Sequence, residues 1–217
     1  IVDYLAQKAD MVIRFQGGDN AGHTVVNEKG KFGLHILPSG IFNEDTMNIG
    51  GAGTVVNFDR MHSELEEIEK VTGEKIESVF IDERAHIIMP YHMALDGAEE
   101  GKRSESEKIG TTKRGIGPCY QDKAARCGIR AADILDEETL RKKLSALLVK
   151  KNRELEYYGL PTYTLEELME KAKGWREEFG NNIIDTNPAV REAVEEGRNI
   201  LLEGQLGTLK DPDHGIY

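Results

Sequence analysis

Short apolar runs alternate along this 217-residue chain with longer segments in which apolar residues recur at helical spacing. Five runs are too short for helices and predict strands, at residues 11–15, 34–37, 47–49, 79–81 and 199–203. Strands that alternate with helices are typical of a predominantly parallel sheet flanked by helices. The sequence therefore predicts an α/β fold.

The predicted helices carry recognisable start and stop signals. Asn57 can cap a helix that Gly73 ends. Thr164 and Glu167 form a capping box at the start of another helix. Residues 1–10 predict the end of a helix, and further helices are predicted to begin at Pro90, Asp136 and Asn187.

Residues 102–130 interrupt this alternation. They are rich in Gly, Lys, Arg and Thr with little apolar periodicity, which predicts an ordered loop. We therefore expect one incomplete domain in three parts. Residues 1–100 would be the first part of the α/β nucleotide-binding core, 101–180 a loop-rich and helical insertion, and 181–217 a return to the core.

Composition excludes several classes of protein. Lys and Arg number 28 against 39 Asp and Glu, and a net charge of −11 argues against binding nucleic acid through overall charge. No run approaches the roughly 18 apolar residues of a membrane span, and no signal-peptide pattern opens the chain. The two cysteines, Cys119 and Cys127, could pair, but reduced thiols in a cytoplasmic protein are the better interpretation.

Three glycines and a histidine follow the first predicted strand, within Gln16–Thr24. Glycines there let backbone N–H groups approach an anion, and a histidine can exchange a proton near neutral pH. Asn20 could donate an amide hydrogen bond to a phosphate, the Gly22 backbone could meet a metal or nucleotide, and His23 could act on a phosphoryl group. Taken alone, the segment fits two interpretations equally well: a phosphate-binding loop, or a glycine-rich turn that carries a surface histidine.

Two further polar segments are candidates. Residues 109–118 combine three glycines, two threonines and two cations, and residues 120–130 add three cations. This composition favours a phosphate cradle over a flexible basic loop. Residues 204–215 follow the last predicted strand, where ligands of α/β sheets bind, but simple chain reversal is the better interpretation of that segment. The other histidines, His35, His62 and His92 among them, are predicted to be structural or exposed.

Five segments in series resemble one family, adenylosuccinate synthetase; they are residues 16–24, 37–40, 110–118, 122–126 and 211–217. The resemblance covers nearly the whole chain. It implies a P-loop NTPase-like α/β sheet with helical additions. It also implies a cytoplasmic homodimeric enzyme that couples IMP and L-aspartate, using GTP and Mg²⁺, to form adenylosuccinate in purine biosynthesis, with neither nucleic acid nor membrane as partner.

The resemblance also implies residue roles. His23 would be catalytic, protonating at the phosphoryl group that passes from GTP to the purine O6 before aspartate displaces it. The Gly22 backbone would coordinate Mg²⁺, and Gly22, His23 and Thr24 would lie along the GTP phosphates. The residues implied to bind IMP are Asn20, Ala21, Gly22, His23, Thr112, Arg126 and Gln205, with Arg126 reaching the partner subunit's site.

The sequence departs from the family pattern in three places. Two family segments are missing from this sequence. A Gly-Asp-Glu-Gly-Lys-Gly-Lys loop is expected directly before Ile1, and a Val-Thr-Ser-Ser stretch is expected after Tyr217. Where the family has Gly-Ala-Gln-Gly-Thr, this chain has glutamine one position earlier, so the IMP contact falls on Gln205 after a local shift or on Leu206 by strict position. We expect a piece of a longer enzyme that lacks turnover alone; the alternative is a non-catalytic phosphate-binding or dimerisation module.

Overall fold

The computed structural model describes residues 1–102, 104, 110–205, 207, 209 and 216. Contacts group the chain into two compact units. The first consists of Ile1–Ala85 and Asn182–Tyr217, and the second of His86–Asn181. The three-part division drawn from the sequence stays a prediction about the complete protein.

The described residues form the following regular elements. The strands are β1 Met11–Arg14, β2 His23–Asn27, β3 Gly30–Leu34, β4 Met47–Gly50, β5 Val55–Val56, β6 Val79–Asp82, β7 His86–Ile87, β8 Ile183–Ile184 and β9 Ile200–Glu203. The α-helices are α1 Val2–Ala6, α2 Phe58–Thr72, α3 Pro90–Lys102, α4 Ile116–Ala124, α5 Glu137–Tyr157, α6 Leu165–Phe179 and α7 Asn187–Glu195. Short 3₁₀ turns occupy Ser39–Phe42, Ala131–Leu135 and Gly180–Asn182.

A five-stranded parallel sheet forms the centre of the first unit, in the order β8-β6-β4-β1-β9. In the register of this sheet Arg14 pairs with Gly50 on one side and Glu203 on the other, so the ends of β1, β4 and β9 meet at one edge. The predicted α/β class is confirmed. Because loops at the carboxyl ends of parallel strands bind ligands, this edge is where a site is expected.

The sheet is held by an apolar core of the expected kind. Met11, Ile13 and Ile49 pack with Ala193 of α7. Helix α2 begins as predicted, with the Asn57 side chain accepting a hydrogen bond from the Arg60 backbone N–H, and ends at Gly73, whose φ is +72°.

One of the five strand predictions failed. The strand predicted over 34–37 is wrong, because β3 ends at Leu34 and pairs instead with β2 in an antiparallel hairpin. The next three backbone N–H groups bind the Glu64 carboxylate in place of a neighbouring strand. The strand predicted over 199–203 forms as β9 at the end of the strand order, where Glu203 is buried and Leu202 is 63% exposed.

The second unit is mainly helical. Asp136 caps α5 and the Thr164 capping box opens α6, as predicted. The ordered loop predicted over 102–130 is partly wrong, because it contains α4. That helix follows Gly115, whose φ is +77°, and places Pro118 in its first turn while burying Cys119 and Asp122. Among the described helices, none is long and apolar enough to cross a membrane.

Candidate functional site

The glycine-rich loop between β1 and β2 is held in shape by Gln205. The Gly18 N–H donates a hydrogen bond to Gln205 Oε1 at 2.8 Å, and the Gln205 amide donates one back to the Gly18 carbonyl. Gly17 has a φ of +84°, and a Cβ there would lie 1.6 Å from Gln205 Oε1. Only glycine fits at this position, and the Gln205 amide is already bonded to the loop.

A cavity of about 590 Å³ opens beside this loop at the carboxyl edge of the sheet. Six consecutive residues, Ala21 to Val26, line it. Further lining residues come from the ends of β1 and β9 and from the turn after β3; they are Arg14, Ser39, Glu203, Gly204 and Gln205. The glycine loop and the carboxyl ends of two strands therefore share one cavity.

His23 places a neutral imidazole in this cavity. Its Nε2 lies 3.7 Å from Glu203 Oε1, yet it is buried and has no hydrogen-bond partner among the described residues. Burial, together with the nearby Arg14 charge, lowers the pKa of His23 to about 4 against the opposing effect of Glu64. A buried ring nitrogen without a partner is a group that a ligand can satisfy.

Two other polar residues anchor or extend the loop. Asp19 is 2% exposed, and its Oδ2 accepts a hydrogen bond from the Asn57 amide at 3.0 Å, which ties the loop to the start of α2. Asn20 is half-buried, and its Oδ1 is enclosed with no hydrogen bond from the described part of the chain. Asn20 and His23 thus both offer unsatisfied polar atoms.

Three buried charged side chains hold the turn that follows β3. Glu64 accepts the N–H groups of residues 35, 36 and 37 at 2.8–3.2 Å. Arg14 Nη1 donates to the carbonyl oxygens of His35 and Leu37 at 2.6 and 3.3 Å. Glu203 Oε2 accepts the Ser39 N–H at 2.8 Å. Sequence reasoning missed these residues, although Glu64 lies on the apolar face of α2 between Met61 and Ile68, where a glutamate is unexpected.

In the second unit, buried carboxylates hold the backbone of the polar segment that precedes α4. Glu100 Oε1 accepts the Gly110 N–H at 2.7 Å, and Asp96 Oδ2 accepts the Gly115 N–H at 2.9 Å. Thr112 is exposed, whereas the Thr111 hydroxyl oxygen is enclosed and has no hydrogen bond within the described residues. These bonds hold the backbone of the segment at Gly110 and at Gly115.

Arg126 lies directly after α4 with a φ of +60°, a conformation that non-glycine residues rarely adopt. It lines a second cavity of about 590 Å³ whose wall is strongly basic. The other cations of this wall are Lys123, Arg130, Lys143 and Lys150. Among them, Lys143 is paired with Asp133 at 2.6 Å. The cavity is suited to an anionic group.

A buried ionic network lies beneath Arg126. Asp122 Oδ2 is 2.9 Å from His92 Nε2, and its Oδ1 is 2.8 Å from Lys151 Nζ. Burial raises the pKa of Asp122, but the hydrogen bonds from His92 and Lys151 outweigh it and hold that pKa below the ordinary value. The Asp122 carbonyl accepts the N–H groups of Cys127 and Gly128, which closes the turn carrying Arg126.

The structure brings some of the predicted site residues together. Ala21, Gly22, His23, Thr24 and Gln205 line one cavity, and Asn20 belongs to the same loop. Thr112 and Arg126 lie in the second unit. Leu206, Ile109, residues 211–215 and Tyr217 lie outside the described residues. Cys119 and Cys127 are free thiols, and the described residues contain no cluster of three His, Cys, Asp or Glu suited to a metal.

Comparison with known proteins gives one family. A model of the adenylosuccinate synthetase family matches residues 1–217. Adenylosuccinate synthetases of Dehalococcoides mccartyi and Heliobacterium modesticaldum are 45% and 47% identical over 218 residues, covering 100% of this chain and 51% of each relative. The structure of fully ligated adenylosuccinate synthetase from Plasmodium falciparum matches with a TM-score of 0.86 and 32% identity, over 100% of this chain and 50% of that one. The likeness confirms the predicted P-loop NTPase-like fold, and the chain spans about half the length of these relatives.

Proposed function

This chain belongs to the adenylosuccinate synthetase family, as its sequence predicted, and we propose that the complete protein is a GTP-dependent ligase that joins IMP and L-aspartate. The observation that carries the proposal is His23, which lines the cavity at the carboxyl edge of the sheet and whose buried Nε2 lacks a hydrogen bond among the described residues. Open α/β sheets bind ligands at that edge.

The reaction has two balanced steps. GTP transfers its terminal phosphoryl group to O6 of IMP while N1 of the purine gives up its proton to a base, leaving GDP. The amino group of aspartate then attacks C6, the C6–O6 bond breaks, and inorganic phosphate departs as the amine gives up its proton. Phosphorylation is needed because a hydroxide-like oxygen is a poor leaving group and phosphate is a good one.

His23 acts on the transferred phosphoryl group. In the chain alone its imidazole is neutral near pH 7, because burial and the Arg14 charge lower its pKa to about 4. A phosphate oxygen beside Nε2 favours the protonated ring and so opposes this effect. The ring can then hold a proton at Nε2 against the charge that develops on the phosphoryl oxygens.

The glycine loop fits Mg²⁺ and phosphate. Mg²⁺ prefers oxygen ligands, and this loop offers the enclosed, unbonded Oδ1 of Asn20 and the backbone of Gly22 at the cavity wall. We assign Gly22 to the metal. Mg²⁺, when bound, neutralises charge on the GTP phosphates during transfer. We assign Gly22, His23 and Thr24 to the GTP phosphates.

We also assign residues to IMP recognition. In the first unit, the residues that we assign to IMP are Asn20, Ala21, Gly22, His23 and Gln205. In the second we assign Thr112 and Arg126. The basic wall around Arg126 supports a phosphate contact, since a guanidinium binds phosphate oxygens in pairs. We propose that the protein is a homodimer in which Arg126 serves the partner subunit's site.

Product formation by the complete protein tests the proposal. With GTP, L-aspartate and IMP labelled with ¹⁸O at O6, we expect adenylosuccinate and inorganic phosphate carrying one ¹⁸O atom, and no product when any one substrate is left out. If adenylosuccinate forms while the label appears in water and not in phosphate, O6 phosphorylation is excluded. Binding of IMP and GTP without turnover would instead support a non-catalytic phosphate-binding module.

A further inference from the structure

Glu64 is a buried carboxylate to which the proposed reaction assigns no role. It lies on α2, is 1% exposed, and does not line the cavity. Its two oxygens accept the backbone N–H groups of residues 35, 36 and 37, and Arg60 Nε donates to Oε1 at 2.8 Å. A buried carboxylate is costly unless such bonds satisfy it, so the turn over residues 35–37 and Glu64 depend on each other.

Arg14 holds the same turn from its carbonyl side. The Arg14 guanidinium is 3% exposed and bonds the carbonyl oxygens of His35 and Leu37. The Glu64 carboxylate therefore accepts hydrogen bonds from the N–H groups of the turn, while the Arg14 guanidinium donates hydrogen bonds to its carbonyl oxygens. A segment bonded in this way on both sides has little freedom to move.

The turn places the His35 ring against the glycine-rich loop between β1 and β2. Arg60 Nη2 lies 2.6 Å from His35 Nδ1, and Glu64 Oε1 lies 3.3 Å from the same ring nitrogen. A Cβ on Gly22 would lie 2.9 Å from His35 Nε2, so the ring is in close contact with the loop at Gly22. The ring supports the residue directly before His23.

We propose that Glu64 is a positioning residue for this reaction: it fixes residues 35–37, and through the His35 ring it fixes the Gly22 peptide and the direction of His23. The inference rests on the proposed function. Glu64 touches no substrate, and its effect is geometric. Small displacements of a reacting group lower the rate strongly, by about 10²-fold for 1 Å.

Kinetics of the complete protein test this role. Glu64→Gln keeps the shape but removes the charge that gathers the three N–H groups. We expect kcat to fall by at least about tenfold, with KM for IMP and GTP nearly unchanged. Glu67→Gln is the matched control, because Glu67 is exposed on the same helix, and it leaves kcat unchanged. An unchanged kcat in folded Glu64→Gln overturns the proposal.

A double variant tests the route through His35. His35→Ala removes the ring behind Gly22 and should lower kcat to a similar extent. Because both side chains act through one contact, the double variant should lose little more than either single variant. Losses that multiply overturn the route. If Glu64→Gln fails to fold, His35→Ala decides alone: a fall in kcat supports the proposal and an unchanged kcat overturns it.

Hydrogen exchange of the complete protein gives a readout that does not need activity. In Glu64→Gln, peptides covering residues 35–37 and 20–23 should both exchange faster, whereas His35→Ala should speed exchange in 20–23. Unchanged exchange in 20–23 in both variants overturns the proposal. If the wild-type protein makes no adenylosuccinate, the proposed function fails, and the exchange result still decides whether Glu64 supports the loop.

Discussion

Asp122 Oδ2 lies 2.9 Å from His92 Nε2, and both side chains are almost fully buried. Lys151 is also buried and pairs with the second oxygen of the same carboxylate. Three ionisable groups from α3, α4 and α5 thus satisfy one another inside the second unit. The network matters for function because the turn that follows Asp122 carries Arg126.

Removing the Asp122 charge should destabilise the second unit. Asp122→Asn removes the nearer counter-charge of the buried Lys151 ammonium and leaves only Glu154 at 3.5 Å, so we expect the free energy of unfolding to fall by about 3 kcal/mol in urea titrations. Asp45→Asn changes an exposed carboxylate in the first unit and serves as the control, with a change within about 0.5 kcal/mol. Equal stability of the two variants would contradict this account of the network.

Asp82 should make stability depend on acid pH. Burial raises its pKa, but hydrogen bonds from Arg84 and Thr186 outweigh that effect and lower it from 3.8 to about 2. Between pH 4 and 2 the unfolded carboxyl group therefore binds a proton that the native one does not, and the free energy of unfolding falls as pH falls. The gap in unfolding free energy between wild type and Asp82→Asn should shrink by about 2 kcal/mol from pH 5 to 2. A gap that stays constant over this range would refute the assigned pKa.

Gly17 should tolerate no side chain. Gly17→Ala meets Gln205 Oε1 and places alanine at a φ of +84°, so we expect a loss of about 1–3 kcal/mol in unfolding free energy. Gly33→Ala is the matched control, because a Cβ there has open space. In a Gln205→Ala background the loss should be smaller, since only the backbone strain remains. An equal loss in both backgrounds would show that the contact with Gln205 is unimportant.

Arg126 should contribute to IMP affinity across a dimer. Arg126→Leu should raise KM for IMP by about tenfold or more, as expected for a charged hydrogen bond to phosphate. Arg153→Leu changes an exposed arginine of α5 and should have no effect. Mixed dimers of the Arg126→Leu and His23→Ala proteins contain one intact site and should regain activity. Mixed dimers that stay inactive would argue against a shared site.

Local signals in the sequence predicted most of the fold. The caps at Asn57, Asp136 and Thr164 depend on neighbouring residues only, and each was confirmed. The turn over residues 35–37 could not be predicted, because its backbone bonds go to Glu64, 27–29 residues away. Helix α4 was missed because its first turn follows a glycine and contains another glycine and a proline, which are typical of loops.

The candidate site was predictable as a loop but not as a cavity. The glycines and the histidine of residues 16–24 stand out in the sequence. The parts played by Arg14 and Glu203 arise from strand register, which pairs the two residues across β1 and β9. His35 was predicted to be structural or exposed, and only the fold shows its ring against Gly22.

The catalytic assignment of His23 is tested most directly by measuring kcat and the affinity for IMP of the His23→Ala protein. His62→Ala is the control, because His62 is an exposed histidine. We predict that kcat falls by about 10²–10⁴-fold, the contribution of a positioned proton donor, while the Kd for IMP stays within about threefold of wild type. Equal losses of rate and affinity, or an unchanged kcat, would contradict the account.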